Sequence, residues 1–309
     1  MKKPLIADLS LLFVTIIWGS TFVLVQNAIN FLEPFSFNSI RFLSAAIILV
    51  LCLVIVDKEQ LKKLNAKLLL SGVFIGFWLF LGYATQTIGL LYTTSSKAGF
   101  ITGLNVVLVP LFSMMLLKQL PTRNAVLGVL TATIGLFLLT MTDVTALNKG
   151  DGFVFICAIS FALQIIYTGK FSNKYPTLLL TVIQITTVAI LSIISSFLFE
   201  DWRKSFDPEI LLSKDVLMAL VITSMFATAL AFLIQTNFQK YTSATRVALI
   251  FAMEPVFAAI TGFYWANERL SYSALIGCFL IFAGMIFAEL PTKKLSFLKK
   301  SKGFEDNIS

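Results

Sequence analysis

The sequence predicts an all-α polytopic membrane protein of ten transmembrane helices arranged as two inverted five-helix repeats, and three observations carry that reading. The 309 residues are 58% hydrophobic and 13% charged, with a mean hydropathy of +0.89, whereas a soluble domain carries about 25% charged residues. Ten apolar runs follow one another, each near the roughly 20 residues that a bilayer core demands. The third observation is a self-similarity between the two halves of the chain at a shift of 149 residues.

The runs cover residues 7–29, 35–56, 68–90, 96–117, 125–141, 152–169, 177–199, 216–235, 244–265 and 274–290. Their breaks carry helix-ending chemistry: Glu33-Pro34, the charged stretch Asp57 to Lys67, Pro121, Asn148 to Gly152, Tyr175-Pro176 and Asp207-Pro208. Lys2 and Lys3 ahead of the first run imitate a signal peptide, but the run is too long and lacks a small-residue cleavage pattern, so it reads as an uncleaved first span. The formal charge of +8 belongs to topology rather than to nucleic acid, because the basic residues sit between apolar runs. With ten spans, 17 of the 24 Lys and Arg fall on the side of the two termini, which the positive-inside rule makes cytoplasmic. The loop from Glu200 to Asp215 then lies outside, with Trp202 at the interface.

Composition also removes whole classes of chemistry. There is no histidine, and Cys52, Cys157 and Cys278 all lie in apolar runs. Zinc sites of Cys/His type, histidine bases and Ser/His/Asp triads are therefore excluded, no disulfide framework is expected, and no metal or other cofactor is implied. A phosphate-binding Gly-Lys-Ser/Thr motif is missing, so direct ATP coupling is not encoded. A membrane-embedded enzyme would need a nucleophile, base or metal cluster on facing helices, and the chain offers little for one.

The shift of 149 lays Tyr92-Thr93-Thr94-Ser95-Ser96-Lys97 on Tyr241-Thr242-Ser243-Ala244-Thr245-Arg246. It also pairs Gln86-Thr87 with Gln235-Thr236, Asn105 with Glu254, Gly128 with Gly277 and Gly135 with Gly284. Apolar composition alone would match Leu, Ile and Val, not these polar and glycine positions. A weaker shift of 143 relates the first two helices of each half, pairing Asp8 with Asp151 and Arg41 with Gln184. Five helices are an odd number, so the second unit crosses the membrane in the opposite sense to the first. Such duplications place a substrate site near the midplane between the halves. The units are 1–145 and 146–291, followed by a basic cytoplasmic tail, 292–309.

Trp18-Gly19-Ser20-Thr21-Phe22, Arg41-Phe42, and Glu254-Pro255-Val256-Phe257-Ala258-Ala259 running to Asn267-Glu268-Arg269-Leu270 resemble the EamA-type branch of the drug/metabolite transporter superfamily. The resemblance covers essentially the whole chain. It implies a ten-helix carrier of small metabolites with a central cavity lined by helices one, three, four, six, eight and nine. The first half departs from the pattern, with Asn105 in place of Glu254 and Lys118-Gln119-Leu120-Pro121 in place of the Glu-Arg-Leu segment.

Glu254 lies near the bilayer centre, where an ionised carboxylate costs on the order of 2.5–3.5 kcal/mol, and is read as a proton-coupling or substrate-amine site, the alternative being a structural carboxyl hydrogen-bonded across helices. Pathway candidates are Trp18, Ser20, Thr21, Tyr83, Gln86, Thr102, Asn105, Gln164, Tyr167 and Gln235, since each polar group needs a partner in lipid. Lys97 and Arg246, paired by the repeat and sent to opposite faces, are expected either at the two mouths of one path or simply as helix ends at the interface. Arg41, a few residues into its span, is expected to snorkel to the outer interface or to form a packing pair with a polar neighbour, a structural role rather than direct ligand contact. The glycines of helices three, four and five, with the stripe Ala125, Gly128, Ala132 and Gly135, read as packing, with dimerisation through helices five and ten as an alternative. The expected activity is secondary transport, in the exporting direction, of a small polar metabolite such as an amino acid, by alternating access, with proton coupling or exchange as the drive. The alternatives are a passive pore or facilitator, or a non-transport membrane subunit. The expected partners are a small-molecule substrate and membrane lipid, with no nucleic acid, and the chain acts as monomer or homodimer.

Overall fold

The computed structural model describes residues 2–93, 95–140, 148–265 and 271–290. The basic tail and the Asn267 to Leu270 segment lie outside these residues. Helices α1 (Lys2–Ala28), α2 (Pro34–Asp57) and α3 (Ala66–Leu90) are continuous. The fourth crossing is broken into α4 (Ser95–Gly103) and α5 (Asn105–Leu117), and α6 (Arg123–Thr140) completes the first half. The second half begins with α7 (Lys149–Ser172) and α8 (Thr177–Phe199). A surface turn, Trp202–Phe206, and the short α9 (Pro208–Leu211) lead into the eighth crossing. That crossing runs through α10 (Lys214–Ile222), a π-helical stretch Thr223–Leu230 and α11 (Ala231–Phe238). The ninth is again broken, into α12 (Ala244–Phe251) and α13 (Glu254–Trp265), and α14 (Tyr272–Glu289) is the tenth. Among the described residues nine helical stretches are long and apolar enough to cross a bilayer, and Tyr272–Ala288 is slightly shorter.

The helices begin where the sequence supplies a cap. Asn65 accepts from the Leu68 amide, Asn148 and Asp151 form a reciprocal capping box, and Ser243 and Ser271 cap α12 and α14. Pro34 and Pro255 occupy first turns, where a missing N–H costs nothing. Contacts between helix ends confirm that successive crossings alternate. Glu200 at the end of α8 takes the Phe35 and Ser36 amides of α2 at 2.7 Å each, on the face away from the N terminus, here the far face. Asn124 at the start of α6 donates to the Leu290 carbonyl after α14 on the opposite, N-terminal face.

The inverted repeat is visible in the packing itself. A Cβ on Gly128 would stand 2.5 Å from the Gly284 carbonyl oxygen, and one on Gly277 would stand 2.5 Å from that of Gly135. The shift of 149 turns the first contact into the second. Backbones at this separation require glycine on both sides, so α6 and α14 lie against each other as antiparallel mates. The small-residue stripe offered above as a dimer surface is thus taken up inside the chain. Toward the N-terminal face, Leu11, Val14, Val109, Val247, Ala248 and Ile250 form an apolar cluster between the halves.

Candidate functional site

Between the repeats lies a cavity of about 70 Å³, room for a few waters or a small solute, since one water takes about 10–15 Å³ by that measure. Its polar lining comes from Trp18 and Thr21 of α1, Arg41 of α2, Tyr83, Gln86 and Thr87 of α3, and Thr102 and Asn105 of the fourth crossing. The second half adds Gln164 of α7, Gln235 of α11 and Glu254 of α13. Apolar walls are Leu79, Phe161, Ile165, Phe232 and Phe251. Val25 and Leu90, in the last turns of α1 and α3, carry the lining toward the far face. The apolar cluster closes the other end.

Both helix breaks fall beside this cavity and are repeat mates. Gly103-Leu104-Asn105 and Ala252-Met253-Glu254 interrupt the fourth and ninth crossings at matching positions. Gly103 weakens the first helix and Pro255 restarts the second. Each break delivers the side chain that opens the next helix, Asn105 or Glu254, to the midplane. Gly19 sets the depth of α1 there: a Cβ would stand 2.6 Å from the Glu254 carbonyl oxygen and 2.8 Å from the Ala258 nitrogen. The Trp-Gly dipeptide therefore lets α1 and α13 touch backbone to backbone beside the carboxylate.

Arg41 takes the second of its two expected roles, pairing with a polar neighbour instead of snorkelling. It is 4% exposed and does not reach the interface. Its Nε donates to Thr228 Oγ1 at 2.8 Å, and its guanidinium lies over the Tyr83 ring, 4.9 Å from the centroid, and the Phe42 ring at 5.2 Å. Cation–π contact and a buried hydroxyl replace the water that snorkelling would have supplied. Thr228 belongs to the π-helical stretch, whose altered hydrogen-bond spacing leaves groups for outside partners. Trp18 Nε1 uses one of them, donating to the Ala227 carbonyl at 2.8 Å, while its ring packs on Phe251 and Phe232 with centroids at 5.0 and 5.4 Å. Neither Ala227 nor Thr228 carried a signal in the sequence, because a π-turn has no residue signature.

Arg41 and Glu254 line one cavity without forming an ion pair: among the described residues the Glu254 carboxyl has no cationic partner within 4.0 Å and no hydrogen bond. Two other acceptors are similarly placed. Asn105 Oδ1 and Gln235 Oε1 are buried with no donor among the described residues, and a buried polar group without a partner costs about 1–3 kcal/mol. The amide of Gln235 is anchored on its other side, Nε2 donating to Gln164 Oε1 at 3.2 Å and to Gln239 Oε1 at 3.3 Å. Gln239 in turn donates to the Ile165 carbonyl. Gln86 reaches Thr102 Oγ1 at 3.4 Å.

Of the sequence candidates, Trp18, Thr21, Tyr83, Gln86, Thr102, Asn105, Gln164, Gln235, Glu254 and Arg41 meet at the cavity, and Ser20, Tyr167, Lys97 and Arg246 do not. Ser20 faces Thr261 Oγ1 at 3.4 Å in the α1–α13 contact. The Tyr167 ring stands edge-on to Phe74, with centroids 4.7 Å apart, and stacks on Phe171. Lys97 is 4% exposed and pairs with Asp151 at 2.6 Å, and Arg246 pairs with Asp8 at 2.5 Å, so both are tied to carboxylates rather than standing open at a mouth. The sequence held those acids in register through the shift of 143 but gave no sign that they would meet these cations. The aromatic walls Phe161, Phe232 and Phe251 were likewise unmarked.

The model of the EamA-like transporter family matches residues 5–141 and again 148–290. An uncharacterized transporter of Archaeoglobus fulgidus is 34% identical over 292 residues, covering 93% of this chain and 87% of that protein. The uncharacterized transporter YvbV of Bacillus subtilis is 25% identical, covering 92% of each. A solved structure described as a crystal structure of a protein shares the fold with a TM-score of 0.76 at 20% identity, over 92% of this chain and 96% of that one.

Proposed function

Because the chain belongs to the EamA-like transporter family, we propose that it exchanges a small zwitterionic metabolite, such as an amino acid, for protons across the cytoplasmic membrane by alternating access. The observation that carries this reading is the placement of Arg41 and Glu254 in one midplane cavity without an ion pair between them. An α-amino acid bears its ammonium and carboxylate on one carbon and satisfies both groups at once. The carboxylate takes the guanidinium edge left free by Thr228 and the ring faces, in a charge-assisted contact. The ammonium takes Glu254, with Asn105 Oδ1 and Gln235 Oε1 as further acceptors, and Trp18, Phe232 and Phe251 receive the side chain.

The coupling follows from electrostatics. An ionised carboxylate sealed at the midplane costs on the order of 2.5–3.5 kcal/mol, so Glu254 enters the closed state carrying either a proton or the substrate ammonium. The empty, ionised carrier does not cross between states, and substrate moves one way as protons move the other. With the proton gradient directed into the cell, the net direction is export. The excess of basic residues at the N-terminal face supports assigning that face to the cytoplasm. The apolar cluster that closes the cavity there opposes a passive pore.

The test is counterflow in proteoliposomes with labelled amino acids, their amines lacking the carboxylate, and their acids lacking the amine. Saturable exchange of the zwitterions, driven by a pH gradient and lost for both truncated series, is the expected result. Linear flux, or equal transport of the amines, would overturn the reading.

A further inference from the structure

The two ion pairs are images of each other. The shift of 149 carries Lys97 to Arg246, and the shift of 143 carries Asp151 to Asp8. Lys97 Nζ meets Asp151 Oδ2 at 2.6 Å, tying the first turn of α4 to that of α7 on the far face. Arg246 Nη2 meets Asp8 Oδ2 at 2.5 Å, tying the start of α12 to that of α1 on the N-terminal face. Each pair joins one repeat to the other. Each also holds the leading arm of a broken helix, α4 or α12, whose other end is the break beside Asn105 or Glu254. The far-face pair is closely enclosed, its two side chains 6% and 5% exposed, and Asp151 also accepts from Thr93 Oγ1 at 2.7 Å and the Asn148 amide at 2.8 Å.

A salt bridge at each end of a carrier invites reading as a pair of gates, each closed only when its own face is shut. The geometry contradicts that. The cavity lining runs to Val25 and Leu90 in the last turns of α1 and α3, toward the far face, and stops at apolar packing toward the N-terminal face, yet both pairs are formed. Under the inverted repeat, the alternate state exchanges the surroundings of the two pairs. A pair found at the open face and its image found at the closed face are therefore compatible with both states. Parting the enclosed Lys97–Asp151 pair in each cycle would also separate two charges that have little access to water.

We infer that Lys97–Asp151 and Arg246–Asp8 are permanent pins: they hold α4 to α7 and α12 to α1 throughout transport, and the motion is taken up at the midplane breaks. This rests on the alternating-access reading and adds to it which parts move. Each fourth helix divides into a pinned arm and a swinging arm, α5 or α13, with the hinge at Leu104 or at Ala252 and Met253. Glu254 opens the swinging arm of the ninth crossing, so an ammonium or proton bound there acts at the hinge itself.

Distances between spin labels test this without knowledge of the substrate. In a chain with Cys52, Cys157 and Cys278 replaced by alanine, label pairs go on Gly99 and Gly152, where a Cβ meets open space, for the far-face pin. Leu9 and Thr245 report the other pin, and Leu91 and Phe263, both exposed, span the far-face mouth. Measurements are made in liposomes, in acid and in mildly alkaline buffer, with and without a mixture of amino acids. The expected result is two distances at the mouth whose proportions change with conditions, and one unchanged distance at each pin. Two distances at a pin, rising and falling with those at the mouth, would make the pairs gates and overturn the proposal. A single mouth distance in every condition would instead refute alternating access, and the pins with it. Lys97→Met should broaden the far-face pin distance, and the exchanged pair Lys97→Asp with Asp151→Lys should narrow it again. A pin distance unmoved by Lys97→Met would also count against the proposal.

Discussion

The two repeats agree in architecture and disagree in charge. The first contributes Arg41 to the cavity, and its mate in the second, Gln184, donates instead to Thr236 Oγ1 at 2.9 Å. The second contributes Glu254, and its mate in the first is Asn105. Helix breaks, glycine contacts and end-to-end ion pairs recur in both halves, whereas each buried cavity charge occurs once. Packing is thus set by the duplication and must be tolerated in both orientations. The ligand sees one cavity and imposes no such symmetry, so a duplicated pair of positions is free to become one cation and one anion.

The largest expected effects break that division of charge. Arg41→Ala and Glu254→Ala should each reduce zwitterion exchange by about 100-fold or more, since stranding one member of a buried charged contact costs about 2–5 kcal/mol and 1.4 kcal/mol is tenfold. Glu254→Gln should leave residual exchange that no longer responds to a pH gradient. Moving the carboxylate to its mate with Asn105→Glu and Glu254→Gln together should not rescue transport, because Arg41 is held by Thr228 and Tyr83 and has no image. Full rescue, measured by counterflow, would mean that the repeats are chemically interchangeable.

The glycine contacts sharpen the comparison from the other side. Gly135→Ala and Gly284→Ala place a Cβ 2.7 and 2.6 Å from a facing carbonyl oxygen, and each should cost about 1–3 kcal/mol by overpacking. Symmetry requires the two costs to be similar. Gly99→Ala, with nothing near its Cβ, should be neutral or stabilising by about 0.5–1 kcal/mol through helix propensity. Thermal unfolding in detergent checks all three, and unequal costs at Gly135 and Gly284 would show the packing to be less symmetric than the contacts indicate.

The smallest effect concerns the helix starts. Glu200 takes the Phe35 and Ser36 amides of α2, while Gln60 Oε1 takes the Leu179 amide of α8 at 3.1 Å in the corresponding place. Burial raises the Glu200 carboxyl above its ordinary 4.5, in spite of hydrogen bonds from Phe35 and Ser36 that lower it. The folded state therefore holds this proton more tightly than the unfolded chain. Its contribution is complete below 4.5 and is lost as pH rises through the elevated folded value. Unfolding temperatures measured across that window should show a slight decline that Glu200→Gln removes and Gln60→Ala leaves in place.

Much of this was legible in the sequence because lipid leaves few options: spans must be long, apolar and helical. A polar residue inside such a span stands out, which is why Trp18, Gln86, Asn105, Gln235 and Glu254 were found. What could not be read depended on facing. A helix that meets lipid on one side and protein on the other is apolar all round, so Phe161, Phe232 and Phe251 look like any other phenylalanine of these helices. Tyr167 turned to Phe74 rather than to the cavity for the same reason. Arg41 lies close enough to its span end to snorkel. Only the distant Thr228 hydroxyl, carried in a π-helical stretch, and the Tyr83 ring decide that it turns inward. Lys97 and Arg246 were placed at opposite faces by the repeat, but their acids come from the other half of the chain and required the folded contact.

The central claim, one midplane chamber open to each side in turn, is tested most directly by thiol accessibility at Thr21→Cys in the chain whose native cysteines are alanine, using oriented vesicles and a membrane-impermeant reagent. The account expects labelling from either face, with an added transported amino acid slowing both reactions. Labelling from one face alone under every condition, untouched by any amino acid, would contradict it.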